Sequence, residues 1–284
     1  MTRGRPAVMG ILNVTPDSFS DGGENPDPAT ALARAEAMVA AGAGFVDVGG
    51  ESTRPGAEPV DPAEEQRRVL PVIEALGSSR EMAEARISID TRNASTARAA
   101  VALGATVIND VSASLWPVAA ETGAGWVAMH MTGDPRTMQL RPTYTDVLEE
   151  VRRFLDERAA LAEAAGVTEL WVDPGIGFAK TTEHNLRLLA GVPRLVEDGR
   201  PVLIGTSRKR SLGELLARSD ASAAHRRGTG PQPDTPPVEV PDRLEGSLVT
   251  AVWAMIGGVD IVRAHDISAT VGAAETFRRT VAGR

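Results

Sequence analysis

The sequence predicts an α/β fold of the (β/α)8 class, the TIM barrel, on two main observations. Short, mostly apolar runs recur eight times along the chain, and each is typical of a strand that is buried on both faces. Stretches rich in Ala, Leu, Glu and Arg separate these runs and have the composition of helices. The chain of 284 residues is also close to the roughly 250 residues typical of this barrel. A doubly wound open sheet is the alternative.

The eight predicted strands span most of the chain. In order they are AVMGILN (7–13), GFVDVGG (44–50), RISIDT (86–91), TVIND (106–110), GWVAMH (125–130), LWVDP (170–174), PVLIGTS (201–207) and DIVRAHD (260–266). Most are rich in β-branched residues, which favour strands, and the spacing between them leaves room for a helix after most strands.

The segments between the strands carry signals for helix starts and ends. Proline or a capping side chain marks several predicted starts, namely Pro28, Pro62, Asn93, and Thr145 or Asp146. Gly104 and Gly166 are expected to end two of these helices, because glycine readily adopts the left-handed conformation found there. A further helix, RLEGSLVTAVWAMIGG, precedes the eighth strand.

Residues 218–242 interrupt this alternation. The segment RSDASAAHRRGTGPQPDTPPVEVPD is rich in Pro, Gly, Ser and Ala and cannot build a core. It is predicted to be a flexible surface insertion between strands 7 and 8, and it is too short to form a domain. Residues 1–284 are therefore expected to form a single domain, without internal repeats beyond the β/α alternation.

Composition excludes several classes of function. A net charge of −8 and a pI near 5.2 argue against a non-specific nucleic-acid binder, and aromatic residues make up only 4%. The absence of cysteine excludes disulfides, thiolate zinc sites and cysteine nucleophiles. No apolar run approaches the roughly 20 residues that cross a bilayer. The start, MTRGRPAVMGILNV, does not resemble a secretion signal, so a cytoplasmic location is expected.

Nearly every predicted strand ends on a polar side chain. These residues are Asn13, Asp47, Asp90, Asn109 with Asp110, His130, Asp173, Ser207, and Arg263 with His265. A single Asp or Asn at such a place is most simply a helix cap or a turn residue. In a barrel, however, the carboxyl ends of all strands meet on one face, where active sites lie. The repeated pattern therefore predicts an active site on that face.

The chemistry of these residues suits a flat polar ring at one end of the site. Asp90, Asn109 and Asp173 can pair with ring N–H and amino groups. Lys209 follows strand 7, and Phe178 offers an apolar surface.

The other end of the site would suit an anion. Arg54, Arg263 and His265 would supply cationic donors for phosphate oxygens. The Asn13 amide oxygen could meet a divalent cation shared with phosphate.

Several motifs are absent, which narrows the reaction classes. The chain has no GxSxG, HExxH or GxGxxG motif, and its four histidines lack metal-ligand spacing. A glycosidase-like carboxylate pair, Asp90 with Asp173, stays open. The stretch WVDPGIGFAKT (171–181) only superficially matches a phosphate-binding loop, because Pro174 and Ala179 replace its two glycines. Lys180 is interpreted there as a helix-start or surface residue.

Nine motifs of the chain resemble those of the dihydropteroate synthase family. In chain order they are NVTPDSFSDGG, DVGGESTRPGA, ISIDT, INDVS, MHMTGDPRTMQ, DPGIGFAKTTEHN, GTSRKR, DRLEGS and VRAHD. The resemblance runs from residue 8 to about 280. It implies a TIM barrel, usually a homodimer, that joins 4-aminobenzoate to 6-hydroxymethyl-7,8-dihydropterin diphosphate. The products would be 7,8-dihydropteroate and diphosphate, and sulfonamides would be inhibitors.

The resemblance also implies roles for individual residues. The pterin would contact Asp90, Asn109, Met129, Asp173, Phe178, Gly205 and Lys209. The diphosphate would be held by Asn13, Arg54, Arg263 and His265, with Asn13 as a ligand of Mg2+. The aminobenzoate would lie near Thr53, Pro55, Phe178, Lys209 and Arg210. Two loops, with Asp17 and Ser18 in the first and Thr53 to Pro55 in the second, would order around the substrates.

Catalysis would then follow an SN1-like displacement. Asp90, Lys209, Arg263 and His265 are the expected catalytic residues. Mg2+, Arg263 and His265 would neutralise the leaving diphosphate, and Asp90 would support positive charge on the pterin methylene. The weakly basic aromatic amine then needs no strong general base.

Three positions depart from the family pattern. Ala113 and Ala179 stand where many members have glycine, and Arg210 stands where many have serine. Two rival functions stay open, a pterin-binding methyltransferase barrel and a non-catalytic pterin-binding paralogue. The first would not need the NVTPDSFSDGG and STRPG loops together with Arg263 and His265. The second would have no use for a site that binds a leaving group.

Overall fold

Eight parallel strands form a nearly closed barrel. The computed structural model describes residues 6–15, 27–51, 59–133, 142–226 and 236–282. The strands are β1 (Ala7–Asn13), β2 (Phe45–Gly49), β3 (Arg86–Asp90), β4 (Val107–Asp110), β5 (Gly125–Met129), β6 (Leu170–Asp173), β7 (Leu203–Ile204) and β8 (Ile261–Ala264). They pair in the order β6-β5-β4-β3-β2-β1-β8-β7. A single parallel bridge from Val172 to Val202 joins the two ends of this order. The predicted barrel is therefore confirmed, and the open-sheet alternative is wrong.

Helices surround the barrel. They are α1 (Pro28–Ala40), α2 (Pro62–Ser78), α3 (Ala94–Ala102), α4 (Trp116–Thr122), α5 (Val147–Ala164), α6 (Thr182–Ala190), α7 (Val192–Glu197), α8 (Arg210–Arg226), α9 (Leu244–Ile256) and α10 (Ile267–Ala282). Short 3-10 turns lie at Glu81–Glu84 and Val240–Arg243. None of the helices in the described ranges combines the length and the apolar composition that spanning a bilayer requires.

Side-chain caps explain where several helices begin. The carboxylates of Asp27, Asp61 and Asp146 accept hydrogen bonds from first-turn N–H groups of α1, α2 and α5. Asn93 occupies the predicted cap position of α3, but its side chain makes no cap bond. Its Nδ2 instead donates to Glu65 Oε2 at 2.9 Å. The predicted start of α3 is thus correct, whereas the predicted cap bond is not formed.

The interior of the barrel is filled near the amino ends of the strands. The side chains of this floor are Met9, Phe45, Val107, Val127, Trp171, Leu203 and Ile261. The Arg86 guanidinium lies 5.4 Å from the Phe45 ring centroid and 5.6 Å from that of Trp171. It also donates to both carboxylate oxygens of Glu169, at 2.6 and 2.7 Å. The floor is closed, so the site opens at the carboxyl ends of the strands.

Strand periodicity then determines which residues line the open end. Side chains two positions apart in a strand share a face. The side chains that come two positions after a floor residue in the same strand are those of Asp47, Asn109, Met129, Asp173 and Arg263. The strand register aligns Asp90 with Asn109 and Met129 with Asp173. The barrel therefore gathers these side chains at one level above the floor.

The predicted insertion is shorter than expected. Residues 218–226 continue α8, so the expectation of a loop is wrong for them. The remainder includes residues 227–235, which lie outside the described part of the chain, and the predicted flexibility stays a prediction. At the far end, the Val238 N–H donates to the Gly213 carbonyl at 3.0 Å, and Arg243 Nε donates to the Val238 carbonyl at 2.7 Å. That end is held against α8.

Candidate active site

A buried ion-pair cluster occupies the centre of the open end. Arg263, on β8, donates from Nε to Asp47 Oδ2 at 2.6 Å and from Nη2 to Asp90 Oδ2 at 2.7 Å. Asn109 Nδ2 donates to the same Asp47 oxygen at 2.9 Å. The structure therefore brings together three of the predicted site residues, Asp90, Asn109 and Arg263, around one carboxylate.

That carboxylate, Asp47, was given no role by the sequence reasoning beyond its place at a strand end. It is fully buried, and Ser88 Oγ donates to its other oxygen at 2.6 Å. The available signal was strand periodicity, because Asp47 stands two residues after the floor residue Phe45 and shares its face. Asp47 fixes the orientation of Arg263 and Asn109 at the same time.

Burial changes the acid–base behaviour of the cluster. It raises the pKa of Asp90 to about 7, although the neighbouring Arg263 opposes this shift. Burial disfavours the charge of Arg263, but the carboxylates of Asp47 and Asp90 outweigh it and raise its pKa. Burial also lowers the pKa of Lys209 to about 8, assisted by the charge of Arg263. Asp90 and Lys209 can thus both change protonation near neutral pH, as is typical of functional sites.

Lys209 and Phe178 form a second part of the site. The Lys209 ammonium lies 4.0 Å from the centroid of the Phe178 ring, a cation–π contact. Phe178 packs with Met129 in a small apolar cluster. Asp173, at the end of β6, is buried, and its Oδ1 accepts from the Gly175 N–H at 2.7 Å. Burial raises the Asp173 pKa. An apolar surface therefore lies beside charged groups, as a flat heterocycle requires.

His265 differs from its expected cationic state. Burial lowers its pKa to about 3, and the Arg263 charge adds to this effect, so the imidazole is neutral. Its Nδ1 lies 3.0 Å from Ser207 Oγ, which also accepts from the His265 backbone N–H at 3.1 Å. This arrangement favours a proton on Nε2. His265 therefore offers a neutral donor in this state.

Asn13 and Gly205 are further predicted site residues within the described part of the chain. A Cβ atom placed on Gly49 would lie 3.7 Å from both Asn13 Oδ1 and Asp90 Oδ2, so these oxygens face the same space. A Cβ atom on Gly205 would lie 3.7 Å from the Arg263 Cβ. Within the described residues, no three His, Asp or Glu side chains are grouped as a metal site. Asn13 contributes one amide oxygen, a ligand type that suits a Mg2+ shared with phosphate.

The predicted residues of the two loops cannot be placed relative to this cluster, and Arg210 lies outside it. Thr53, Arg54 and Pro55 lie outside the described residues, as do Asp17 and Ser18 of the first loop. Arg210 begins α8 and is exposed, and its Nε donates to Glu214 Oε1 at 3.0 Å. The other Glu214 oxygen accepts from the Thr182 hydroxyl. The role of Arg210 toward the aminobenzoate stays a prediction.

The WVDPGIGFAKT segment forms a tight turn and not a phosphate-binding loop. Gly175 and Gly177 have φ values of 68° and 83°, which glycine tolerates without steric cost. The interpretation of Lys180 as a surface residue is wrong, since the residue is only 3% exposed. Sequence reasoning missed it because a lysine beside a helix start is normally solvated.

Comparison with known proteins identifies the family of the chain. The family model described as pterin binding enzyme matches residues 9–265. Dihydropteroate synthase from Escherichia coli strain K12 is 42% identical over 285 residues, which cover 98% of this chain and 93% of the relative.

Two solved structures extend the similarity to the whole fold. The Yersinia pestis dihydropteroate synthase with a sulfonamide drug has a TM-score of 0.85 and 39% identity, covering 98% of this chain and 95% of that one. The Xanthomonas albilineans dihydropteroate synthase with 4-aminobenzoic acid has a TM-score of 0.85 and 43% identity, covering 98% of this chain and 94% of that one. The chain therefore belongs to the pterin binding enzyme family and, within it, to the dihydropteroate synthases.

Proposed function

We propose that this chain condenses 6-hydroxymethyl-7,8-dihydropterin diphosphate with 4-aminobenzoate to give 7,8-dihydropteroate and diphosphate. The observation that carries the proposal is the barrel-end cluster of Asp47, Asp90, Asn109 and Arg263 in a chain that matches dihydropteroate synthases over almost its full length. A cluster with one guanidinium between two carboxylates suits a substrate that joins a polar ring to an anion.

The polar ring of the pterin would lie among the buried carboxylates. Asn109 donates its N–H to Asp47, which leaves its amide oxygen to accept from the ring. Asp90 and Asp173 would accept from ring N–H and amino groups. Met129, Phe178 and Gly205 would provide the apolar surface and the space beside the ring.

The diphosphate would lie at the mouth of the site. Arg263 would donate to its oxygens, and the neutral His265 would donate from Nε2. Asn13 would offer its amide oxygen to Mg2+, which would supply charge neutralisation of the leaving diphosphate when bound. Arg54 is proposed to add a second guanidinium.

The reaction would proceed by an SN1-like displacement. An ionised Asp90 would stabilise positive charge on the pterin methylene as the bond to diphosphate breaks. The aromatic amine of 4-aminobenzoate is a weak base and can attack without prior deprotonation. Phe178, Lys209, Arg210, Thr53 and Pro55 are proposed to surround the aminobenzoate. The Arg210–Glu214 pair would then compete with the substrate carboxylate for the guanidinium.

A homodimer is proposed as the assembly. Three large apolar side chains of α9 are exposed, namely Val249 (69%), Trp253 (53%) and Ile256 (64%). Their spacing places them on one side of the helix. Exposed apolar side chains grouped on one side of a helix favour association with a second copy of the chain.

The decisive experiment is a coupled activity assay with the purified protein. With Mg2+, diphosphate should be released only when both the pterin diphosphate and 4-aminobenzoate are present, in equal amounts with dihydropteroate. A sulfonamide should compete with 4-aminobenzoate. Release of diphosphate without dihydropteroate would contradict the proposal, and pterin binding without turnover would indicate a non-catalytic binder.

A further inference from the structure

Lys180 lies beneath the loop that joins β6 to α6 and has three polar partners. Its Nζ is 2.9 Å from the Phe178 carbonyl oxygen, 3.2 Å from the His130 carbonyl oxygen and 3.0 Å from His130 Nδ1. A lysine ammonium has three N–H donors. These acceptors therefore account for each of them.

Burying a lysine is costly, so its position requires an explanation. Burial lowers the pKa of Lys180 to about 7, against the charge of Asp173, and the charge of Lys209 lowers it further. Burial also lowers the pKa of His130 to about 3, so this imidazole is neutral and can accept through Nδ1. The fold thus keeps a buried lysine whose polar contacts are to His130 and to the Phe178 carbonyl.

Those contacts join the ends of two neighbouring strands. His130 directly follows β5, and Phe178 belongs to the loop after β6. Two more side chains hold the same loop: Asn185 Oδ1 accepts from the Gly177 N–H at 2.8 Å, and Tyr144 Oη donates to the Ala179 carbonyl at 3.0 Å. Three consecutive residues of the loop are thus each bonded to a side chain, and the central bond comes from Lys180.

The path of this loop determines the position of Lys209. The Lys209 ammonium lies 4.0 Å from the Phe178 ring centroid. A Cβ atom placed on Gly177 would lie only 3.0 Å from Lys209 Cδ, so the aliphatic stem of Lys209 runs along the loop. A displacement of the loop would move both the aromatic surface and the ammonium of the site.

We propose that Lys180 is a positioning residue, which holds Phe178 and thereby the Lys209 ammonium in the geometry that receives the aminobenzoate and the pterin. The inference rests on the proposed function, because that function gives Phe178 and Lys209 their roles.

The test compares Lys180→Met with Arg86→Met in the full chain. Both changes remove a cation that bridges strands, but Arg86 lies at the closed floor of the barrel. Steady-state kinetics should give a roughly 10-fold higher KM for 4-aminobenzoate and a roughly 10-fold lower kcat for Lys180→Met, since small displacements in a site are costly. Arg86→Met should lower the unfolding temperature and leave both KM values within about twofold of wild type.

The outcomes distinguish a positioning role of Lys180 from a purely structural one. If Lys180→Met loses stability but keeps KM and kcat within about twofold, Lys180 is only structural and the inference is overturned. If Lys180→Met does not fold, Lys180→Gln takes its place, because its amide retains two donors; failure of both variants to fold would also overturn the inference. An inactive wild type would overturn the proposed function itself, whereas an active wild type with unaffected variants overturns the inference alone.

Discussion

Two alanines near the site adopt a left-handed backbone. Ala113 has a φ of 49° and Ala179 a φ of 50°, and both are buried. A Cβ atom in this conformation costs roughly 1–2 kcal/mol, which glycine avoids. The resemblance to the family leads us to expect glycine at both positions. The chain therefore accepts a backbone cost at both loops, which the packing of each buried methyl group partly offsets.

The protonation of two residues sets the expected pH dependence of catalysis. The pKa of Asp90 is raised to about 7, so the carboxylate form predominates only above that pH. The pKa of Lys209 is lowered to about 8, so its charge is lost above that pH. We predict that kcat/KM for the pterin diphosphate rises with pH through about 7 and falls through about 8.

Asp90→Asn separates this effect from titration of the substrate phosphates. The variant should lose the acidic limb and about 100-fold of its kcat, because it cannot provide the charge near the methylene. Stopped or coupled assays from pH 5.5 to about 9.5 would measure both profiles. An acidic limb that persists in Asp90→Asn would show that another group titrates.

Residues at strand ends could be predicted because the barrel brings every such end to one face. This applies to Asp90, Asn109 and Arg263. The roles of Asp47 and Lys180 could not be predicted, because they depend on tertiary contacts that the sequence does not reveal. The neutral state of His265 could not be predicted from the sequence either, because it results from the burial of the imidazole.

At the scale of elements, the loop from β4 to α4 depends on one carboxylate. Asp110 is fully buried and accepts from Ser112 N–H and Oγ at 2.9 and 2.6 Å. It also accepts from Ser114 N–H, Leu115 N–H and Trp126 Nε1, at 2.7, 2.6 and 3.1 Å. One side chain thus forms the turn that directly follows Asn109 of the site.

We predict that Asp110→Asn destabilises the protein by about 3 kcal/mol, because an amide has one acceptor oxygen and would leave buried donors unpaired. Asp156→Asn is the matched control. Asp156 pairs with Arg200 at 2.6 Å, but its side chain is 50% exposed, so the change should cost less than about 1 kcal/mol. Urea unfolding would measure both. Equal losses would show that the turn does not depend on the Asp110 charge.

The predicted elements agree with the structure where local signals dominate. All eight strands lie within the predicted runs, but the ladder of β7 covers only Leu203–Ile204 of the predicted residues 201–207. The composition of residues 218–226 predicts a loop only when these residues are averaged with the prolines and glycines that follow. The alanines of this part are compatible with the helix that it forms.

At the scale of the whole molecule, the eight strands, their alternation with helices and the length of the chain predict the closed barrel. The pairing that closes it, Val172 with Val202, has no local signature in the sequence. The proposed dimer also depends on surface side chains, which the pattern of strands and helices does not describe; three apolar side chains of α9 are exposed, whereas others are buried.

The proposed dimer can be tested on that face. We predict that Val249→Glu weakens self-association at least 10-fold, since it would place a charge in an apolar interface. Sedimentation equilibrium would measure it. Leu161→Glu is a suitable control, because Leu161 is also an exposed apolar residue (41%) but belongs to a different helix, α5. Unchanged association of the Val249 variant would place the interface elsewhere.

The pairing of β6 with β7 is short, because it consists of a single bridge. Adjacent strands elsewhere share longer ladders, such as the five paired positions of β1 with β2. Asp173 is the last residue of β6, and Lys209 follows β7, so the two residues belong to the strands that this bridge joins. Where few backbone bonds hold two strands, partial separation costs the least free energy. Local opening of the barrel would therefore begin between two groups that are proposed to hold the pterin, so a bound pterin would stabilise the pairing of β6 with β7.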